Sequence, residues 1–344
     1  MESARLPIRF EYGGKYDGRH RILSRQERES RFNICAVFKL DKYRARIVRA
    51  VDFDDRPIRR MDPRNDFSIG RQQPGRANNL PLPMNDVEIF AKTIPLGNGC
   101  EIASCDESGL IAISKKAGKA THPNPDGGKS APMVRAPYNF KGEYYSWEGA
   151  DGEAKRLWLI NRLDSPTSGI VLAASNPEAA AAAKRAFLER KVSKKYVALC
   201  ICRAPVRAGT WRDTLYERKL VGYVRNSFVK VSDSSIKKAE TKFFVEGFDK
   251  NNYGVCLVRL EPLTGVTHQL RVQCAKHGMP ILGDATYGNF AANKKIRSMS
   301  KINRLFLHCA CTELEAEISG KKVVFSASAK LPESFEAIMQ KQKI

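Results

Sequence analysis

From about residue 100 onward the apolar positions fall into short runs separated by turn residues. "EIASCDESGLIAISKKAG" reads as strand, turn, strand, with Glu107, Ser108 and Gly109 in the turn. "THPNPDGGKSAPM" reads as loop, and the segment from there to about Asp151 as irregular. "LWLINRLD" predicts a strand ending at Asp164, and "GIVLAAS" predicts the next strand. "NPEAAAAAKRAFLERKV" predicts the clearest helix, with Asn176 as N-cap, Pro177 at its first position and Glu178 against its positive end. "KKYVALCIC" predicts a strand. "AETKFFVEGFD" and "YGVCLVRLEPL" predict a hairpin around Lys250, Asn251 and Asn252. "THQLRVQCAKHG" predicts a helix closed by Gly278, and "RLFLHCACTELEAEI" with "KKVVFSAS" a strand pair around Ser319 and Gly320. Many strands and few helices imply an α+β fold with a mixed, mainly antiparallel sheet flanked by helices.

Residues 1–95 follow a different pattern. "RHRILSRQERESRFN" is charged and helix-compatible, "ICAVFKLDKYRARIVRAVDF" has room for one or two strands, and "RRMDPRNDFSIGRQQPGRANNLPLPMND" reads as loop or linker. No motif marks this part. It is expected to be a basic N-terminal extension, either a small RNA-binding appendage or a segment packed on the main domain. Residues 96–344 form the second, chemistry-bearing domain.

Charge changes the picture more than composition does. Lys and Arg total 59 against 37 Asp and Glu, a net charge of +22. An excess of that size favours an anionic partner, nucleic acid first. No run approaches a membrane-spanning length, and the first residues lack the apolar core of a signal peptide. The nine cysteines include no C-x-x-C pair. Cys200/Cys202 and Cys309/Cys311 read as small core residues rather than metal ligands or disulfide partners. An odd count without a secretion signal points to a reducing, cytoplasmic setting, and a monomer is the default.

The chain has no phosphate-cradling G-x-x-x-x-G-K-[ST], no G-x-G-x-x-G after a strand, no H-E-x-x-H and no G-x-S-x-G. Neither a metal nor an organic cofactor is implied. Three segments hold candidate chemistry. Asp164, in "NRLDSPTSG", stands between two apolar runs, where a carboxylate either caps a turn or is held charged in a cleft. Tyr196, in "KKYVALC", is either a core aromatic or a flat face for a base, and Lys194 and Lys195 beside it form part of a track for phosphates. Arg271 lies one helical turn after Thr267 and His268, on the same face.

"NRLDSPTSG", "KKYVALC", "LTGVTHQLRV" and "GMPILGDATYG", in that order, resemble the pseudouridine synthases of the RluA type over roughly residues 100–335. The resemblance implies isomerisation of uridine in ribosomal or transfer RNA without cofactor or metal. It implies Asp164 as catalytic nucleophile or base, Tyr196 packed on the target base, and Arg271 paired with the aspartate. It implies Arg162 as the group that helps displace the base, with Thr167, Lys194, Lys195, Thr267 and His268 around it. A carboxylate in a partly dry pocket is pushed toward its neutral form, and an ion pair offsets this. A target uracil inside a stacked helix has to be extruded first. The chain departs from the family pattern at Asn161, where His is usual, at Val266, where a second Arg is usual, and at Lys116, where Pro is usual. A protein that kept this fold and RNA binding but lost turnover is the alternative.

Overall fold

The computed structural model describes residues 85–125, 130–202, 208–220, 231–249 and 254–340, with backbone alone for 216–220 and 231–235. The expectations for residues 1–84 and for the turn at Lys250–Asn252 lie outside the described residues.

The chain enters through helix α1 (Asp86–Thr93), whose capping box is reciprocal: Asn85 accepts from the Glu88 backbone N–H, and Glu88 accepts from that of Asn85. Ala91 and Ile94 at the end of α1 join the core. Strands β1 (Glu101–Cys105) and β2 (Leu110–Lys115) follow, turning at Gly109 as expected. The segment expected to be irregular instead contains β3 (Tyr138–Asn139) and β4 (Tyr144–Glu148). The run Tyr144-Tyr145-Ser146-Trp147 pairs with β5 (Ala154–Leu159), so aromatic packing overrides the turn residues around it. Next come β6 (Ser168–Ala174), α2 (Pro177–Leu188), β7 (Val192–Ile201), β8 (Ala208–Leu220), β9 (Val231–Asp249) and β10 (Val255–Pro262). Helices α3 (Gln269–Lys276) and α4 (Phe290–Ser300), strands β11 (Leu307–Ile318) and β12 (Lys321–Ser328), and helix α5 (Glu333–Met339) complete the order.

The strands form one mixed sheet in the order β3-β4-β5-β6-β11-β7-β10-β9-β8, with β2 also on β6, β1 on β2 and β12 on β11. Among the described pairs, β6 with β11 is parallel and the rest are antiparallel. This bears out the α+β reading. Along one edge β6 changes partner. Its C-terminal residues Ala173 and Ala174 pair with β5, while its first residues Ser168 and Gly169 pair with β11. The loop from β5 to β6 therefore leaves the sheet where two neighbours part. The parallel approach is close enough to require glycine at 169. Its φ is 113°, and an added Cβ would lie 2.1 Å from the Cys309 carbonyl oxygen.

The core lies around β6, whose residues are all buried. Helix α2 covers it with Ala179, Ala180, Ala182, Ala183 and Ala186, small side chains that let helix and sheet approach closely. Asn176 caps α2 by accepting from the Ala179 N–H at 2.8 Å, as its sequence implied. The cysteine expectation is corrected at one pair. Cys202 and Cys256 form a disulfide with Cα atoms 6.3 Å apart, because the end of β7 lies against the start of β10. The six other described cysteines are free thiols.

Candidate active site

The strand expected to reach Asp164 stops at Leu159. Beyond it a side chain takes over from the backbone. The Ile160 N–H still donates to the Leu172 carbonyl at 3.0 Å, and then Asn161 Oδ1 accepts from the Leu172 N–H at 2.7 Å. Asn161 thus satisfies the edge of β6 while the main chain turns away. The Thr121 hydroxyl holds the next stretch from both sides, donating to the Leu163 carbonyl at 2.9 Å and accepting from its N–H at 3.1 Å. Beneath the loop lies Lys115, 1% exposed, whose ammonium donates to the carbonyls of Lys116, Lys119 and Ser165 at 3.2, 2.7 and 3.1 Å. Burial pulls its pKa down to about 8. The Thr167 N–H closes the turn onto the Asp164 carbonyl at 3.0 Å.

Asp164 projects from this braced loop into a cavity of about 900 Å³. Its Oδ2 accepts from Arg271 Nη1 at 3.1 Å and lies 3.7 Å from His268 Nε2. Arg271 is 6% exposed, not the surface cation an isolated helix would suggest. Its other donors are taken by a second carboxylate, Asp284, through Nε at 2.7 Å and Nη2 at 2.9 Å. Asp284 also accepts from the backbone N–H groups of Thr286 and Tyr287, and the Tyr287 ring lies 5.2 Å from the guanidinium. Burial alone would lower the Arg271 pKa, but Asp284 and then Asp164 more than offset it and leave it raised. Burial likewise pushes Asp284 upward, and the Arg271 bonds and two N–H groups outweigh it, so its pKa falls. The guanidinium is fixed by Asp284 and presents one donor to Asp164.

Tyr196 lines the same cavity from β7, 8% exposed, with its pKa pushed well up by burial. Lys194 shares its strand face and the cavity, its ammonium 5.7 Å from the Phe187 ring, and burial lowers its pKa. Lys195 is not brought to the cavity. Strand alternation turns it to the other face, where it meets Glu313 at 3.6 Å. Thr167, Thr267 and His268 all line the cavity. His268 enters α3 in the left-handed conformation, φ 54°, and its Nδ1 lies 3.1 Å from the Tyr287 hydroxyl. Arg162 is exposed at the rim and donates to His122 Nε2 at 3.1 Å. That bond leaves the ring proton on Nδ1, facing the Pro123 carbonyl at 2.7 Å. Val266 anchors its turn by donating to Gln269 Oε1 at 3.0 Å. The residue that sequence reasoning quoted without a role is Asp284. Its signal was the "GDATYG" segment itself. No group of three metal-ligating side chains gathers among the described residues.

Residues 109–276 match the family model described as RNA pseudouridylate synthase. The chain is 32% identical over 257 residues to ribosomal large subunit pseudouridine synthase C of Rickettsia prowazekii, covering 74% of this chain and 77% of that one. It is 31% identical over 258 residues to the protein of the same name from Rickettsia bellii, covering 75% and 76%. Among solved structures it is similar in fold to human RNA pseudouridylate synthase domain containing 4, with 22% identity, a TM-score of 0.50, and coverage of 74% of this chain and 96% of that one. These likenesses, with a braced carboxylate in a cleft, define an RNA-modifying enzyme. The chain belongs to the RNA pseudouridylate synthase family, in its RluA-type branch, and isomerises uridine in RNA to pseudouridine.

Proposed function

We propose that Asp164 is the catalytic carboxylate of this isomerase and that its substrate is large-subunit ribosomal RNA. The observation that carries the first part is the Arg271–Asp164 bond of 3.1 Å at the wall of a cavity that Tyr196 also lines. In the reaction the C1′–N1 bond of uridine breaks and a C1′–C5 bond forms. The proton on C5 is lost and N1 gains one, so the formula is unchanged. Asp164 acts at the nucleotide as nucleophile or base, Arg271 keeps it oriented, and Tyr196 supports the uracil ring. Arg162, at the rim, stands where it can fill the space the extruded base leaves. Lys194 on the cavity wall faces a phosphate. The names of the Rickettsia relatives favour ribosomal over transfer RNA. Action as a cytoplasmic monomer goes with this reading.

The test is pseudouridine mapping across total RNA from cells lacking the gene, complemented with wild type or with Asp164→Asn. A ribosomal site should vanish in the knockout and return with wild type alone, while the Asn variant still folds and binds RNA. A fully active Asn variant would remove Asp164 from the chemistry. A change confined to transfer RNA would replace the substrate.

A further inference from the structure

A second cavity, of about 670 Å³, adjoins the segment Gly283–Ala285. Gly283 and Ala285 line it, while Asp284 between them holds Arg271. Four cations surround it: Lys294, Arg297 and Lys301 from α4 and its C-terminal cap, and Arg304 from the turn before β11. No carboxylate is among its lining residues, and none of the four forms an ion pair among the described residues. Many other cations of the domain are paired, as Lys155, Lys184, Lys195, Arg259 and Lys276 are.

Two of the four have a local explanation. Arg297 and Lys301 sit at the C-terminal end of α4, where positive charge complements the helix dipole. Lys294 has none, and Arg304 has neutral partners but no counter-charge. Lys294, Arg297 and Lys301 are spaced three and four residues apart, so they share one helix face and repel each other. Helix α4 carries no acidic residue to relieve them. Arg304 is partly buried, and burial alone pulls its pKa down to about 10. It donates to neutral groups only, the Ser168 hydroxyl at 2.6 Å, the Leu305 carbonyl at 3.1 Å and the Ser334 hydroxyl at 3.3 Å. Phe290, 64% exposed, adds an aromatic face at the rim. A cationic groove beside an exposed aromatic is the chemistry of single-stranded nucleic-acid binding.

We propose that this second cavity binds a phosphodiester of the substrate RNA, outside the nucleotide held in the Asp164 cleft. The inference rests on the chain acting on RNA. Bound phosphate would relieve the repulsion along α4 and give Arg304 its counter-charge.

The experiment measures binding of labelled oligouridylate to the full chain across a salt series, with isomerisation of ribosomal RNA followed in parallel. Lys294→Glu/Arg297→Glu is compared with Lys321→Glu/Lys322→Glu, which changes net charge equally at the β11–β12 turn. Thermal melts check that both fold. The first pair should weaken binding about tenfold or more and reduce the salt slope by roughly 1.5, with KM raised more than kcat is lowered. The second pair should stay close to wild type. If both pairs weaken binding alike, or neither does, while wild type still makes pseudouridine, the subsite is excluded and the enzyme reading stands. If wild type binds no RNA and modifies none, both readings fall together.

Discussion

Arg271 and Arg304 flank the same short segment and are treated in opposite ways. Arg271 meets two carboxylates, and its pKa is raised despite burial. Arg304 meets hydroxyls, a carbonyl and the rings of Phe306 and Phe335 but no carboxylate, and its pKa falls to about 10. A buried cation with its charge already balanced can orient a neighbour but has little left for an incoming anion. One whose charge is unbalanced keeps that attraction in reserve at a cost to the fold. The difference fits the two proposals, in which Arg271 positions Asp164 and Arg304 receives charge from outside.

The largest effect expected from this contrast is at Arg271. Arg271→Met would leave Asp284, whose side chain is 1% exposed, as a buried charge without its cation. Such a loss destabilises by about 3–5 kcal/mol, read as a shift in urea midpoint. Adding Asp284→Asn to Arg271→Met should return part of it, because the fully buried carboxylate is then gone and only the part-exposed Asp164 is left without its cation. A double variant no more stable than the single would show that Arg271 acts through packing, and the contrast with Arg304 would lose its electrostatic basis.

Acid separates the two regions next. His308 lies on the Arg304 side, with Nδ1 accepting from the Ser168 hydroxyl at 2.9 Å and Nε2 toward the Ala329 carbonyl at 3.3 Å. Burial pulls its pKa down to about 4, and the Arg304 charge adds to this. Its folded value is below its unfolded value of about 6.5. The stability it contributes is therefore present above about pH 6.5 and is lost as pH falls toward about 4. The loss should amount to roughly 2–3 kcal/mol over that window. Asp284, with its pKa lowered from the ordinary carboxylate value, contributes stability that goes only at lower pH. Urea unfolding across pH should show the two losses in turn, and His308→Gln should abolish the first. A slope that survives in His308→Gln would assign the first loss to other groups.

The same two regions differ in how far the chain could be read in advance. Asp164, Tyr196 and Arg271 stand in short contiguous motifs, so their order along the chain was enough to nominate them together. The α2 cap and the turns at Gly109 and at Ser319 and Gly320 were equally local. What escaped depends on side chains doing what backbones usually do, or on partners far apart. Asn161 completes the edge of β6 with its amide, so the strand ends earlier than its apolar pattern implies. Lys195 was grouped with Lys194 by adjacency, yet the strand period of two sends it to Glu313. Strand β8 turns Trp211, Asp213 and Leu215 inward, and the acid breaks the apolar alternation. Asp213 is tolerated there because Lys276, Gln273 and His277 all reach it. Helix α4 buries only Ile296 and Ser300, too few apolar positions to mark a helix in the sequence. Ser168 and His308 are neighbours only because β6 and β11 pair in parallel.

The smallest effect should come from Arg304→Met. The substitution gives up bonds to Ser168, Leu305 and Ser334, and it also removes the cost of keeping an uncompensated cation partly buried. The two nearly cancel, so the net change in stability should be about 1 kcal/mol or less. Ser168 keeps a partner because its hydroxyl still donates to His308. Two further readouts make the result informative. Without the Arg304 charge the His308 pKa should rise, so the acid loss beginning near pH 6.5 should shrink. Binding of oligouridylate should weaken, with the salt slope reduced by about 1. A penalty as large as that of Arg271→Met, with RNA binding unchanged, would mean that Arg304 is a structural cation like Arg271. The two arginines would then be doing the same job.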